Sequence, residues 1–155
     1  MNNSSLLSIR RAEIRDVRSI RDIDRFSFPS PWTEGWTIAQ VTDLTRVHLV
    51  AEREFKVIGH GGLIFVGDQA HVATIAVEAQ HRRQGVAKAL MARLTEAAIG
   101  KGYDELTLEV RESNAAAIAL YERHGLEVVG RRVGYYGDND EDAIIMTASN
   151  LGTHG

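Results

Sequence analysis

The stretch from Val77 to Leu94, VEAQHRRQGVAKALMARL, changes character at Gly85. Before that glycine the chain alternates like a strand; after it, apolar residues recur as they do on a helix. The first turn of a helix leaves backbone N–H groups without partners and carries partial positive charge from the aligned peptide dipoles. A glycine at such a start lets a ligand approach the backbone closely. Arg82, Arg83 and Lys88 add long-range attraction. Residues Arg82, Arg83, Gln84, Gly85, Val86, Ala87 and Lys88 thus have the types and order of an anion site. A tight turn beside a solvated charged edge accounts for the same residues. Two familiar phosphate loops are excluded: the Walker pattern Gly-x-x-x-x-Gly-Lys-[Ser/Thr] is missing, and no Gly-x-Gly-x-x-Gly opens a helix.

A second group lies in DELTLEVRESNAAAIALYERHG. Alternation puts Leu106, Leu108 and Val110 on one strand face and Glu105, Thr107, Glu109 and Arg111 on the other. A carboxylate such as Glu109 on a polar strand face reads by itself as a solvated surface group. Asn114, Ala117, Ile118 and Tyr121 then fall at i, i+3, i+4 and i+7, one stripe of a helix. Asn114 stands where a helix N-cap belongs, and Tyr121 where a core aromatic would pack.

The elements that must position these groups can be read from breakers and periodicity. A short strand at SIRRA precedes a helix carrying Ile14, Val17, Ile20 and Ile23, which Pro29 and Pro31 end. Thr33 caps a second helix, EGWTIAQVTDL. Three strands follow at VHLVAERE, KVIGHGGLIFVG and QAHVATIAVE, then a helix over 85–100 that GKG closes. After the strand at DELTLEVR, Ser113 or Asn114 caps the helix AAAIALYERHG; two last strands, LEVVGRRV and EDAIIMTA, flank an acidic turn. The expected fold is α/β in the α+β sense: β-α-α-β-β-β-α-β-α-β-β, a single mixed, mostly antiparallel sheet with helices on both faces.

Composition bounds the function. The 155 residues suit one domain, 1–155, with about six loose residues at each end. A net charge of -3 and a pI of 6.1 argue against general nucleic-acid binding. No run approaches the ~20 apolar residues of a membrane span, and the N-terminus lacks a signal-type apolar stretch, so a cytoplasmic protein is expected. The absence of cysteine excludes disulfides, thiolate catalysis and cysteine-based zinc sites. No metal is expected. The six histidines show no His-Glu-x-x-His spacing, and the run Asp138 to Asp142 has Ala143 and Ser149 where a calcium loop needs glycine and glutamate.

RRQGVA matches the (Arg/Gln)-x-x-Gly-x-(Gly/Ala) loop of the GCN5-related N-acetyltransferases, and the element order is also theirs. LEVRESNAAAIALYERHGL and GYYGDNDEDAIIM resemble the RimI-type ribosomal-protein-alanine N-acetyltransferases. The resemblance implies acetyl-CoA as co-substrate, its pyrophosphate held by the amides of Arg82 through Lys88. It implies that the backbone of Ile75, Ala76 and Val77 pairs with the pantetheine arm, with amides near Val77 facing the oxyanion, and that Asn114 touches the cofactor. It further implies Glu109 as general base and Tyr121 as the acid that protonates the departing thiolate. The substrate it implies is a protein N-terminus, the N-terminal alanine of a ribosomal small-subunit protein. Trp32, Tyr135 and Tyr136 would wall the slot for its first residue, and Asp138 with its acidic neighbours would attract a basic peptide. For Trp32, packing on the first helix is the competing account; for the acidic run, a solvated turn.

The chemistry favours an α-amine. Deprotonation at pH 7 costs about 1 kcal/mol for an α-amine of pKa about 7.7–8.0 and about 4.6 kcal/mol for a lysine of pKa about 10.4. Without cysteine no acetyl-cysteine can form, so transfer is direct within a ternary complex. Two departures stand out: Ala87 fills a place often taken by glycine, and Leu126 stands where phenylalanine commonly follows the helix-ending glycine. A broader N-terminal or lysine acetyltransferase and a non-catalytic acyl-CoA-binding module are the other readings.

Overall fold

The computed structural model describes residues 6–153. The elements follow the expected order: β1 (Leu7–Arg11), α1 (Val17–Ser27), α2 (Glu34–Thr42), β2 (Val47–Arg53), β3 (Lys56–Val66), β4 (Gln69–Val77), α3 (Val86–Gly100), β5 (Leu106–Arg111), α4 (Ala115–Arg123), β6 (Glu127–Arg132) and β7 (Ala143–Ala148). The strands form a seven-stranded sheet in the order β1-β2-β3-β4-β5-β7-β6. Pairs β1–β2, β2–β3, β5–β7 and β6–β7 are antiparallel, while β4 and β5 run parallel. The sheet is mixed and mostly antiparallel, as the sequence predicts.

Local chemistry sets the boundaries. Thr33 Oγ1 accepts from the Trp36 amide at 3.1 Å and starts α2. Asn114, not Ser113, caps α4, its Oδ1 accepting from the Ala117 amide at 3.1 Å. One expectation fails. Ile14 lies outside α1, exposed in a single 3-10 turn (Ile14–Asp16). The buried carboxylate of Asp16 accepts from the Glu13 amide at 2.7 Å and from both terminal nitrogens of Arg10 at 2.8 and 2.9 Å. That clamp fixes the turn, and α1 begins only at Val17.

Contacts group the chain into two compact units, Met1–Ile64 with Ala73–Leu94, and Phe65–Val72 with Thr95–Gly155. In the first, Val17, Ile20 and Ile23 of α1 pack with Val41 of α2 and Val50 and Val57 of the sheet. Helices cover both faces of β3. His60 points to Asp24 of α1, whereas the next residue, Gly61, faces Leu94 of α3, where a Cβ would come within 3.1 Å of the leucine Cδ1. Successive strand residues face opposite sides, so α1 and α3 lie on opposite faces. Gly59 backs onto Val86 and Leu90 in the same way, which is why β3 carries glycines there.

In the second unit Leu106, Leu108 and Val110 of β5 are buried with Ala143, Ile144 and Met146 of β7. Every paired residue of β6 lies against β7, and most of its side chains are exposed. Among the described residues no helix is long and apolar enough to cross a membrane.

Candidate active site

In the first unit, β4 runs through Ile75, Ala76 and Val77 into a 3-10 turn (Ala79–His81) and then the 82–85 turn. Ala76 and Val77 are buried and Ile75 partly so. Arg83 at φ 62° and Gly85 at φ 82° both lie in the left-handed region. Such a backbone turns successive N–H groups toward one concavity, a geometry that suits anions. The first amide bonded into α3 is that of Ala89, which donates to the Gly85 carbonyl at 3.0 Å. The amides of Val86, Ala87 and Lys88 precede it and belong to the unpaired first turn.

The side chains around this turn divide by task. Arg82 Nε donates to the Val77 carbonyl at 3.0 Å and ties the turn to the end of β4. Gln84 Nε2 donates to the Gln80 carbonyl at 3.2 Å, and its Oε1 accepts from Arg53 at 2.5 Å. These two brace the loop. Arg83 and Lys88 are exposed and carry the positive charge outward. The predicted cluster is therefore two bracing side chains, two exposed cations and the first-turn amides of α3.

In the second unit, Glu109 of β5 is half-buried, and Oε1 of its carboxylate accepts from His71 Nε2 of β4 at 2.7 Å. That hydrogen bond, opposed by burial and helped by His71 and Arg132 charge, holds Glu109 below the usual carboxylate range. Tyr121 on α4 is buried, and burial, with a smaller push from Tyr136, raises its phenol to about 12. Burial also raises Tyr136, against the opposing charge of Arg111, with Tyr135 and Glu109 adding smaller upward pushes. Tyr136 thus senses the charge of Glu109, and Tyr121 that of Tyr136. An ionised carboxylate and a protonated phenol are the two species proton transfer requires.

Tyr135 and Tyr136 meet edge-to-face at 5.0 Å, with Arg111 over the Tyr136 ring at 4.1 Å. The acidic turn is internally paired. Arg111 binds Asp138 at 2.9 Å and Glu141 at 3.3 Å, and Arg131 binds Asp142 at 2.8 Å. These ion pairs order the turn, and with Asp140 its four carboxylates still outnumber the two guanidiniums. Trp32, in the first unit, is partly buried edge-on to Trp36 of α2 at 6.1 Å and tilted to His48 at 6.4 Å, so its packing partner is the second helix. Asn114 uses Oδ1 to cap α4.

Two arrangements escape a single-sequence reading. His71 pairs in parallel register with Thr107, so it shares a face with Thr107 and Glu109. Its signal was a histidine on the polar face of QAHVATIAV, but only the strand order sets it beside β5. The other is buried in the first unit. Asp24 Oδ1 accepts from His60 Nε2 at 2.7 Å, and His60 Nδ1 accepts from His48 Nε2 at 3.0 Å. His48 Nδ1 is buried without a partner, and burial pushes this imidazole well below its ordinary value. Asp24 and His60 stand 36 residues apart, so no local motif announces them.

Residues 17–126 match the acetyltransferase (GNAT) family model. The chain is 35% identical over 141 residues to the [ribosomal protein bS18]-alanine N-acetyltransferase of Escherichia coli K12, covering 90% of this chain and 95% of that one. It is 32% identical over 154 residues to an N-alpha-acetyltransferase of Sulfurisphaera tokodaii, covering 90% and 91%. The crystal structure of the ribosomal-protein-alanine N-acetyltransferase from Escherichia coli superposes with a TM-score of 0.85 at 32% identity, covering 94% of each chain.

Proposed function

The chain belongs to the acetyltransferase (GNAT) family, and on that premise we propose that it acetylates protein N-terminal α-amines, with the N-terminal alanine of ribosomal protein bS18 as its substrate. The observation that carries this reading is the pair of proton-transfer groups in one compact unit, an ionised Glu109 and a protonated Tyr121. The likeness to the Escherichia coli enzyme over nine-tenths of the chain supports the choice of substrate.

Acetyl-CoA is the family's donor. The amides at 82–88, with Arg83 and Lys88, fit its pyrophosphate, and Asn114 would contact it. The backbone of Ile75, Ala76 and Val77 would hold the pantetheine arm, with amides near Val77 facing the oxyanion. Tyr135 and Tyr136 would wall the slot for the peptide's first residue, and the Asp138 turn would attract a basic peptide.

The reaction needs a neutral amine. The ammonium gives up one proton to the hydrogen-bonded His71–Glu109 pair, directly or through water. The amine then attacks the acetyl carbon, the carbonyl oxygen takes the negative charge, and collapse breaks the C–S bond. A thiol has an ordinary pKa of about 8.5, whereas the Tyr121 phenol stands at about 12. Full transfer from phenol to thiolate is therefore uphill by about 5 kcal/mol. Tyr121 must release its proton to sulfur only as another arrives from the attacking nitrogen, ending the cycle as a phenol.

The decisive assay supplies acetyl-CoA and the bS18 N-terminal peptide, reading free thiol and peptide mass. The expected result is one acetyl on the α-amine. Thiol release with lysine side chains or small amines, and none with an alanine α-amine, would overturn the substrate assignment. A broader α-amine specificity is the second reading, favoured by the Sulfurisphaera tokodaii relative, and peptides varied at the first residue separate the two.

A further inference from the structure

The amine's proton needs an acceptor, and the Glu109 carboxylate is not alone. His71 Nε2 lies 2.7 Å from its Oε1, and both side chains remain partly accessible, 23% and 16% exposed. With Nε2–H donating to an ionised carboxylate, the neutral His71 ring has its free lone pair on Nδ1. Among the described residues Nδ1 has no hydrogen-bond partner. The groups facing this pair are Thr107 beside His71, Arg132 of β6 near Glu109, and Tyr136 from the segment before β7.

We infer that the proton acceptor for the substrate amine is His71 through Nδ1, with Glu109 as its anionic partner. This rests on the acetyltransferase reading above and specifies which group of that site carries the proton. The alternative, a lone carboxylate base, works against itself. The hydrogen bond that positions Glu109 also lowers its proton affinity, while in a chain without cysteine imidazole is the side chain whose ordinary proton affinity lies nearest to an α-amine's. Protonating Nδ1 makes an imidazolium directly against a carboxylate, an ion pair in a half-buried site. The balance is simple. The ammonium loses one proton to Nδ1, directly or through one water, and its electron pair becomes the nucleophile. The imidazolium then returns that proton to solvent, while the second nitrogen proton leaves by way of Tyr121 to the thiol sulfur.

Two variants test the order of importance. His71→Gln can still donate a hydrogen bond to Glu109 but cannot hold a proton. It should lower kcat by about 100-fold or more, with acetyl-CoA affinity and thermal melting close to wild type, and should remove the acid limb of the pH–rate profile. Glu109→Gln can still accept from Nε2–H but lacks the charge; it should lose less than His71→Gln and shift the acid limb to lower pH. Free imidazole should restore rate to His71→Ala in proportion to its neutral form. His71→Gln within threefold of wild type with its acid limb in place would overturn the inference, as would Glu109→Gln proving the more damaged variant. If His71→Gln does not fold, the imidazole response of His71→Ala decides alone, and no response overturns it. Failure of the wild-type protein to acetylate any α-amine peptide would instead overturn the functional reading itself.

Discussion

The molecule contains two imidazole–carboxylate pairs with the same separation and different surroundings. In one unit Asp24 and His60 meet at 2.7 Å, almost wholly buried, with His48 stacked behind at 5.1 Å between ring centroids. In the other His71 and Glu109 meet at the same 2.7 Å with part of each side chain accessible. Contact geometry alone does not tell chemistry from architecture. Burial does: a base must reach a substrate and return its proton to water, and the Asp24–His60–His48 chain can do neither. It joins α1 to β2 and β3 instead, and every link satisfies a group that would otherwise lie orphaned in the core.

That contrast predicts separable damage. The largest effect falls on the accessible side: Tyr121→Phe, which keeps the ring and its packing, should lower kcat by about two to four orders of magnitude while leaving the melting temperature nearly unchanged. A rate within a factor of a few would remove Tyr121 from the proton path. On the buried side Asp24→Ala should leave His60 Nε2–H unpaired and cost about 1–3 kcal/mol in urea unfolding, with kcat retained in the folded fraction.

A smaller effect separates the two pairs by pH. His48 resists protonation in the folded chain and accepts it normally when unfolded, so the unfolded state binds more protons as pH falls. Stability should be full above about pH 6.5 and decline below it by up to about 1.4 kcal/mol per pH unit. His48→Phe should flatten that decline. Glu109 is lowered from its ordinary 4.5, so its contribution is present above that value and lost only as pH falls further. An unchanged slope in His48→Phe would show that the buried chain is not the acid-sensitive element. The smallest effect is at Asn114. Serine caps a helix about as well, so Asn114→Ser should change stability by a few tenths of a kcal/mol at most while weakening coenzyme A binding several-fold, as read by calorimetry. Equal affinity would leave Asn114 as a cap alone.

The fold was almost wholly legible in the sequence, because breakers and periodicity are local signals. Pro29 and Pro31 stop α1, Thr33 starts α2, and the two- and 3.6-residue periods separate strands from helices. The miss at Ile14 came from a long side chain, Arg10, which clamps Asp16 from across the turn. The site was legible to the extent that it is local. The 82–88 turn carries its own glycine and charges, and the stripe from Asn114 to Tyr121 needs only one helix. His71, the buried relay and the pairing of the acidic turn each join residues 11 or more apart, and nothing in a residue's neighbours announces a partner brought by sheet order.

Arg111 stands two residues after Glu109 on β5, salt-bridged to Asp138 and Glu141 and lying over the ring of Tyr136. For anyone wishing to retarget the protein by loop grafting, the transferable part is therefore not the 134–142 segment alone. A donor loop without acidic residues at those positions would strand a guanidinium beside Glu109, so the exchange unit is the loop together with Arg111, moved as one cassette.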